Sequence, residues 1–257
     1  MANFTRLIFF AAAAAVSVSL SGCATPLNRV TFDRYMDSGW AAEQSGDLSA
    51  AEEAYRRAYL NTQWGNLSNE EEEQSLGNLA RIKYRLGKRT ESHEIRNLLE
   101  QVRHQLYVAA RTRNLGKAEE SRTAYNLGLT KRDLCKADEA EKLLLEALQL
   151  DERVTGPESR VTSMRLFELG RLYHDLALPE KAVPLFERGI RMVKEELAKS
   201  DPIALADAIA EHAKALQSIG RNDEAIAAQR EANKLRENNP GKKAKFVPDR
   251  YAQTCRT

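Results

Sequence analysis

A chain of 257 residues, 42% hydrophobic and 30% charged, is long enough to bury a sizeable core, and its 39 lysines and arginines are nearly balanced by 37 aspartates and glutamates. The two signs are interspersed, so there is no bulk electrostatic case for nucleic acid, and charge serves mainly to solvate surfaces. No strand-like run of β-branched residues occurs between Thr31 and Asn238, and the chain reads as all-α.

Met1 to Arg6 carries one positive charge and precedes an apolar run of 14 residues, Leu7 to Leu20. That run is short of the ~20 residues needed to span a bilayer, so residues 1–22 read as an export signal peptide. It ends in Leu20-Ser21-Gly22-Cys23, which resembles the bacterial lipobox. The resemblance implies that Cys23 receives a diacylglyceryl group and becomes the first mature residue. With Ala24 rather than aspartate after it, the protein is expected on the periplasmic face of the bacterial outer membrane. Residues 23–30 are expected to be a lipidated tether. The alternatives are an ordinary secreted protein or an uncleaved anchor.

From residue 31 onward a small residue recurs at Ala51, Ser92, Ala140, Ala182 and Ala225, at intervals of 41, 48, 42 and 43. Each opens the second helix of a helix-turn-helix pair, and the chain is a repeat array. The first copy, near 31–66, is marked by Tyr35, Gly39, Ala51, Tyr55 and Ala58. The second, 68–115, keeps Ala80, Gly87, Ser92 and Leu99 but has Arg96 at the aromatic position. The third, 117–156, has Ala124, Leu127, Gly128, Ala140, Leu144 and Ala147. The fourth, 158–200, has Leu166, Leu169, Gly170, Tyr173, Ala182, Phe186 and Gly189. The fifth, 201–238, keeps Ile209, Ala213, Leu216, Gly220, Ala225 and Ala232 but has Gln229 at the aromatic position.

Small residues belong where paired helices cross closely, and large ones fill the gap toward the next pair. The series Leu-x-x-Leu-Gly-x-x-Tyr followed by Ala-x-x-x-Phe-x-x-Gly resembles the tetratricopeptide repeat. The resemblance implies a right-handed superhelical solenoid of about five repeats over 31–238. Every interval exceeds the family's usual ~34 residues. Asp151 to Glu158 is expected to lie in one extension, similar to the connectors of kinesin-light-chain-type repeats. Pro179 and Pro184 are placed at the start of a helix, where the first amides lack partners anyway, and Asp201-Pro202 reads as an N-cap followed by proline.

Nothing in the chain supports catalysis or a cofactor. His93, His104, His174 and His212 are assigned to four separate helices and form no metal-ligand spacing. Leu86-Gly87-Lys88-Arg89-Thr90 superficially suggests a phosphate loop, but Ile82 stands where its first glycine belongs, so Gly87 is a turn residue. Glu70 to Glu73 suit the positive end of a helix, with Ser68 and Glu71 at capping-box spacing. After cleavage two thiols remain. Cys135 fills the turn position held by Gly46, Gly87 and Gly220 in sister copies. Cys255 lies in the basic tail 239–257, expected to be disordered or to touch anionic lipid. A Cys135–Cys255 disulfide is within reach, and sequence alone does not decide it.

In the tetratricopeptide family the first helix of each pair lines a concave groove. Carried over, that face presents Trp40, Asn78, Arg81, Tyr84, Arg85, Arg122, Tyr125, Asn126, Arg132, Phe167, Arg171 and His174. Its arginines have no acids at matching positions on the same face, and arginine with aromatics is the composition of interface anchors. The expectation is a periplasmic adaptor, not an enzyme, that binds an acidic or carboxylate-bearing protein segment. The alternative for the arginines is pairing with Glu and Asp on neighbouring helices. The alternatives for function are a fixed structural subunit using its convex face or an enzyme subunit.

Overall fold

The computed structural model describes residues 25–244 and Cys255. Ten helices occur among them: α1 (Thr25–Ser45), α2 (Leu48–Gly65), α3 (Asn69–Arg85), α4 (Arg89–Thr112), α5 (Lys117–Asp133), α6 (Ala137–Val154), α7 (Arg160–Asp175), α8 (Pro179–Ser200), α9 (Pro202–Ser218) and α10 (Asn222–Glu237). No strand occurs among the described residues. The chain divides into two compact units, Met1–Val102 and Arg103–Thr257, with the division inside α4. The signal segment and Cys23 lie outside the described residues, as does most of the basic tail. None of the described helices is long and apolar enough to cross a membrane.

Consecutive helices form pairs because each is apolar on one stripe only and must bury that stripe against its neighbour. In unit 1 the buried cluster is Ala51, Tyr55, Leu79 and Ile82, with Met36, Leu48, Leu86 and Ile95 against it. In unit 2 it runs through Leu144, Leu166, Leu169, Leu172, Phe186, Val193 and Leu216, with a second cluster around Leu205, Ile209 and Ala232.

Helix crossing is closest at a glycine of the first helix and a bulky residue sixteen positions later. A Cβ on Gly39 would meet the Tyr55 ring at 2.6 Å, one on Gly128 would meet Leu144 at 3.1 Å, and one on Gly170 would meet Phe186 at 3.1 Å. The second and fifth copies have Ala80 and Ala213 in place of the glycine, and Arg96 and Gln229 in place of the bulky apolar residue. The methyl takes room a ring would need, and a flexible chain is accommodated instead. Arg96 lies over the Tyr84 ring at 5.2 Å. Ser92, at the small position of the same copy, donates its hydroxyl to the Ala80 carbonyl at 2.7 Å.

The turns within pairs are in register. Gly46, Gly87, Cys135, Ala177 and Gly220 all have positive φ, and the N–H groups there cap the preceding carbonyls, as in Gly87 to Tyr84 at 2.9 Å. Other terminal signals act as the sequence suggests: the Ser68 N–H donates to the Glu71 carboxylate at 2.7 Å, and the Asp201 carboxylate accepts from the Ala204 N–H at 3.1 Å.

Several expectations are corrected. The stretch expected as a tether, 23–30, is helical from Thr25. The extra repeat length lies chiefly in long second helices, 24 residues in α4 and 22 in α8, rather than in loops. Asp151 to Val154 thus continue α6, leaving a short connector before α7. Pro184 is inside α8, beyond the first turn, where it removes one ladder hydrogen bond from an exposed position. His93 and His104 share α4 because that helix is longer than its repeat register suggests.

Candidate peptide-binding surfaces

In unit 1, α1 places Trp40 and Glu43 three residues apart on one face, and α3 places Asn78, Arg81 and Arg85 at spacings of three and four. Glu43 joins the two helices. Its carboxylate accepts from both terminal nitrogens of Arg81, at 2.9 Å for Nη2, and from Arg85 Nη1 at 2.6 Å. Arg81 Nη2 also donates to the Asn78 amide oxygen at 2.9 Å. Burial works against the Glu43 charge, but the Arg81 hydrogen bond and the fields of Arg81 and Arg85 outweigh it and hold its pKa below the ordinary value. One carboxylate is thus shared by two guanidiniums. Arg85 remains 42% exposed, and Trp40 stands 63% exposed on the same face of α1.

In unit 2 the first helices carry a closed ion-pair ladder. Arg132 Nη1 of α5 donates to Glu168 of α7 at 2.6 Å, and its other nitrogens reach Asp133 at 2.8 and 3.0 Å. Glu168 also accepts from Arg171 at 2.9 Å, and Arg171 Nε donates onward to Glu211 of α9 at 2.7 Å. Burial pulls against the charge of Arg132, but Asp133 and Glu168 overcome it and keep the guanidinium charged. Beneath the ladder Arg165 pairs with Asp151 at 2.7 Å and lies 3.6 Å from the centre of the Tyr125 ring. Burial, with the Glu168 charge behind it, pushes the Tyr125 phenol up to about 12.

These pairs overturn the reading of the arginines as unmatched. Arg122 is paired with Glu119 of its own helix at 2.9 Å, and Arg81, Arg85, Arg132 and Arg171 have the partners given above. Phe167 is core: it is buried, and Gly189 leaves it room, since a Cβ there would lie 2.8 Å from the ring. Arg132 is likewise buried. Tyr84 lies beneath Arg96, and the Asn126 carbonyl accepts from Arg103 at 2.9 Å. His174 Nδ1 is 3.7 Å from Asp175. Arg122, Asn126, Arg171, His174 and Glu211 engage further partners as well.

Position within a single face does not reveal these acids. The signal lies at the repeat offset, since Glu43 to Arg81, Arg132 to Glu168 and Arg171 to Glu211 are separated by 38, 36 and 40 residues.

Cys135 and Cys255 form a disulfide with a Cα–Cα distance of 5.5 Å. An open depression of about 380 Å³ between α9 and α10 is lined by Lys214, Gln217, Asn222, Ile226 and Gln229 with two alanines, and its lining includes no acid. Among the described residues no cluster of His, Cys, Asp and Glu is arranged to hold a metal ion.

Tetratricopeptide repeat family models match residues 119–195, 32–60 and 206–239, together more than half of the sequence. The chain belongs to the tetratricopeptide repeat family. Among solved structures, this tetratricopeptide protein is similar to BtubC (BKLC) from P. vanneervenii, with a TM-score of 0.57, 21% identity, and 82% of this chain and 84% of that one covered. It is also similar to a kinesin-light-chain-type protein of Podospora anserina with nearly identical TPR-like repeats, with a TM-score of 0.58, 18% identity, and 84% and 98% covered. A third similar structure is the Rap conjugation gene regulator of plasmid pLS20 in complex with a Phr peptide, with a TM-score of 0.56, 12% identity, and 92% and 59% covered. At these identities the likeness speaks for the fold. No curated protein sequence matches the chain.

Proposed function

We propose that this protein is a lipid-anchored, periplasm-facing adaptor of the bacterial outer membrane. Cys23 carries the anchor after removal of residues 1–22, and the repeats hold a partner in envelope assembly or in cell-wall or secretion machinery. The partner offers an acidic or carboxylate-bearing segment, and it docks on the first-helix face of unit 1.

The observation that carries this reading is half-exposed Arg85 beside exposed Trp40 on the first-helix face of unit 1. A carboxylate arriving there pairs with the half-exposed Arg85 guanidinium, and the indole supplies an anchor of large area at low entropic cost. In unit 2 the equivalent arginines are matched by Glu168, Asp133 and Glu211, and that face gains less from an incoming acid. The disulfide supports an oxidising compartment, in agreement with export. Peptide occupancy of the Rap regulator gives a precedent for the fold.

The test is made in two parts. Cys23→Ser should release the protein from the outer-membrane fraction and abolish incorporation of labelled palmitate; continued membrane residence would refute the anchor. Arg85→Glu with Trp40→Ala should abolish partner capture with only a small fall in melting temperature, because Trp40 is exposed, Arg85 is half-exposed and Arg81 still pairs with Glu43. Reversing Arg132 or Arg171 would not serve, since it would break buried pairs and the fold with them.

A further inference from the structure

The register of the first helix pair brings two exposed apolar side chains to one end of unit 1. Gly39 of α1 faces Tyr55 of α2, and Val30 and Trp64 stand nine residues back along α1 and nine onward along α2. The helices run antiparallel about the Gly46 turn, so these two residues reach the same level. Val30 is 58% exposed and Trp64 77% exposed, and neither belongs to the buried cluster of unit 1. The start of α3 shares that end, since Glu71 pairs with Arg29 and Gln63 donates to Glu72 at 2.8 Å.

This is the end of the pair from which the chain runs back to Cys23, two residues before Thr25. That link spans at most ~7 Å, and the five residues of helix from Thr25 to Val30 rise ~7.5 Å. A lipid on Cys23 therefore keeps Val30, and Trp64 beside it, within ~15 Å of the bilayer surface. Trp40 is ten residues farther along α1, another ~15 Å away.

We infer that Val30 and Trp64 form a membrane-interface contact that fixes the orientation of unit 1 beside its anchor. The occupant is the headgroup boundary of a zwitterionic bilayer. An indole, with an apolar body and an N–H donor, suits that depth. Glu70, Glu71 and Glu72 outnumber Arg29 at this end, and an anionic surface would repel them. The acyl chains supply affinity, while the ring and the valine set the tilt. Trp40 then stands clear of lipid and open to a partner. The inference rests on the proposed Cys23 anchor.

The test is tryptophan quenching on vesicles of phosphatidylcholine and phosphatidylethanolamine whose acyl chains are brominated near the headgroup. Residues 23–257, which contain every described helix, are coupled through the Cys23 thiol to a maleimide lipid while Cys135 and Cys255 stay closed in their disulfide. The readout then does not depend on cellular lipidation. Trp40→Phe leaves Trp64 as the reporter, and Trp64→Phe leaves Trp40. Trp64 emission is expected to shift to the blue and to be quenched at least two-fold, with Trp40 emission unchanged. Quenching of Trp64 no greater than that of Trp40 would overturn the contact, as would protection of Trp64 by a bound protein in place of lipid. Palmitate labelling of Cys23 judges the anchor separately: labelling without Trp64 quenching sinks only the interface contact, and quenching without labelling sinks only the natural anchor.

Discussion

The ring of Phe186 lies so close over Gly170 that a Cβ on the glycine would sit 3.1 Å from ring carbons, and sixteen residues separate the two. Gly39 and Tyr55 repeat the relationship more tightly at 2.6 Å. Tyr55 and Phe186 are almost wholly inaccessible, so neither ring has space to retreat. Gly39→Ala should therefore destabilise unit 1 by about 2–3 kcal/mol and Gly170→Ala should cost unit 2 about 1 kcal/mol, in the range for overpacked cores. Urea unfolding of each variant checks the order; equal costs would show that the rings adjust freely.

The ion-pair ladder separates buried from exposed charges. Arg132→Met removes a buried guanidinium that pairs with Glu168 and Asp133 and should cost about 3–5 kcal/mol. Arg85→Met removes an exposed member of a pair that Arg81 still satisfies and should cost under about 1 kcal/mol. The contrast is read from the two urea midpoints, and similar losses would mean that the Arg132 pair is hydrated in solution.

Acid should weaken unit 1 in a defined direction. Glu43 and Glu52 are both depressed below 4.5: burial opposes ionisation, but hydrogen bonds from Arg81 to Glu43, and from Lys83 and Lys88 to Glu52, prevail. A carboxylate with a lowered folded pKa contributes stability that is complete above its unfolded value and lost as pH falls through the folded one. Thermal unfolding should therefore change little from these groups above pH 5 and weaken below about 4.5. Glu43→Gln should flatten that acid limb, and an unaltered limb would remove Glu43 from the account.

His212 gives a second window. Burial, the largest influence, lowers its pKa below 6.5 despite Glu187 nearby, and its Nε2 is buried without a hydrogen bond. The neutral form is favoured on folding, so its contribution is complete above pH 6.5 and declines as pH falls through the folded value. The decline in melting temperature between pH 7 and 5.5 should be smaller in His212→Gln; identical slopes would contradict this.

Much of the fold is legible because the periodic signal is carried by packing itself. Ala51, Ser92, Ala140, Ala182 and Ala225 are each the fourth residue of a second helix, and Gly87 is a turn residue rather than a phosphate binder. The face is less legible. Phe167 has the spacing of a groove residue, but Gly189, twenty-two residues on, makes the hole that buries it. The pairing of Arg132 with Glu168 depends on neighbouring helices in adjacent repeats, which position within one helix does not reveal. The start of α1 was also hidden, since Thr25 to Thr31 carries little of the repeat pattern.

In the proposed role the first-helix face of unit 1 holds a partner's carboxylate-bearing segment at the outer membrane. The most direct measurement is photocrosslinking in intact envelopes with benzoylphenylalanine in place of Trp40, with and without Arg85→Glu. A discrete adduct whose crosslinked peptide is acidic, lost in the Arg85→Glu form while its helical fold is retained, is the result expected. An adduct that survives the charge reversal, or one that forms only from the outer faces of the second helices, would contradict it.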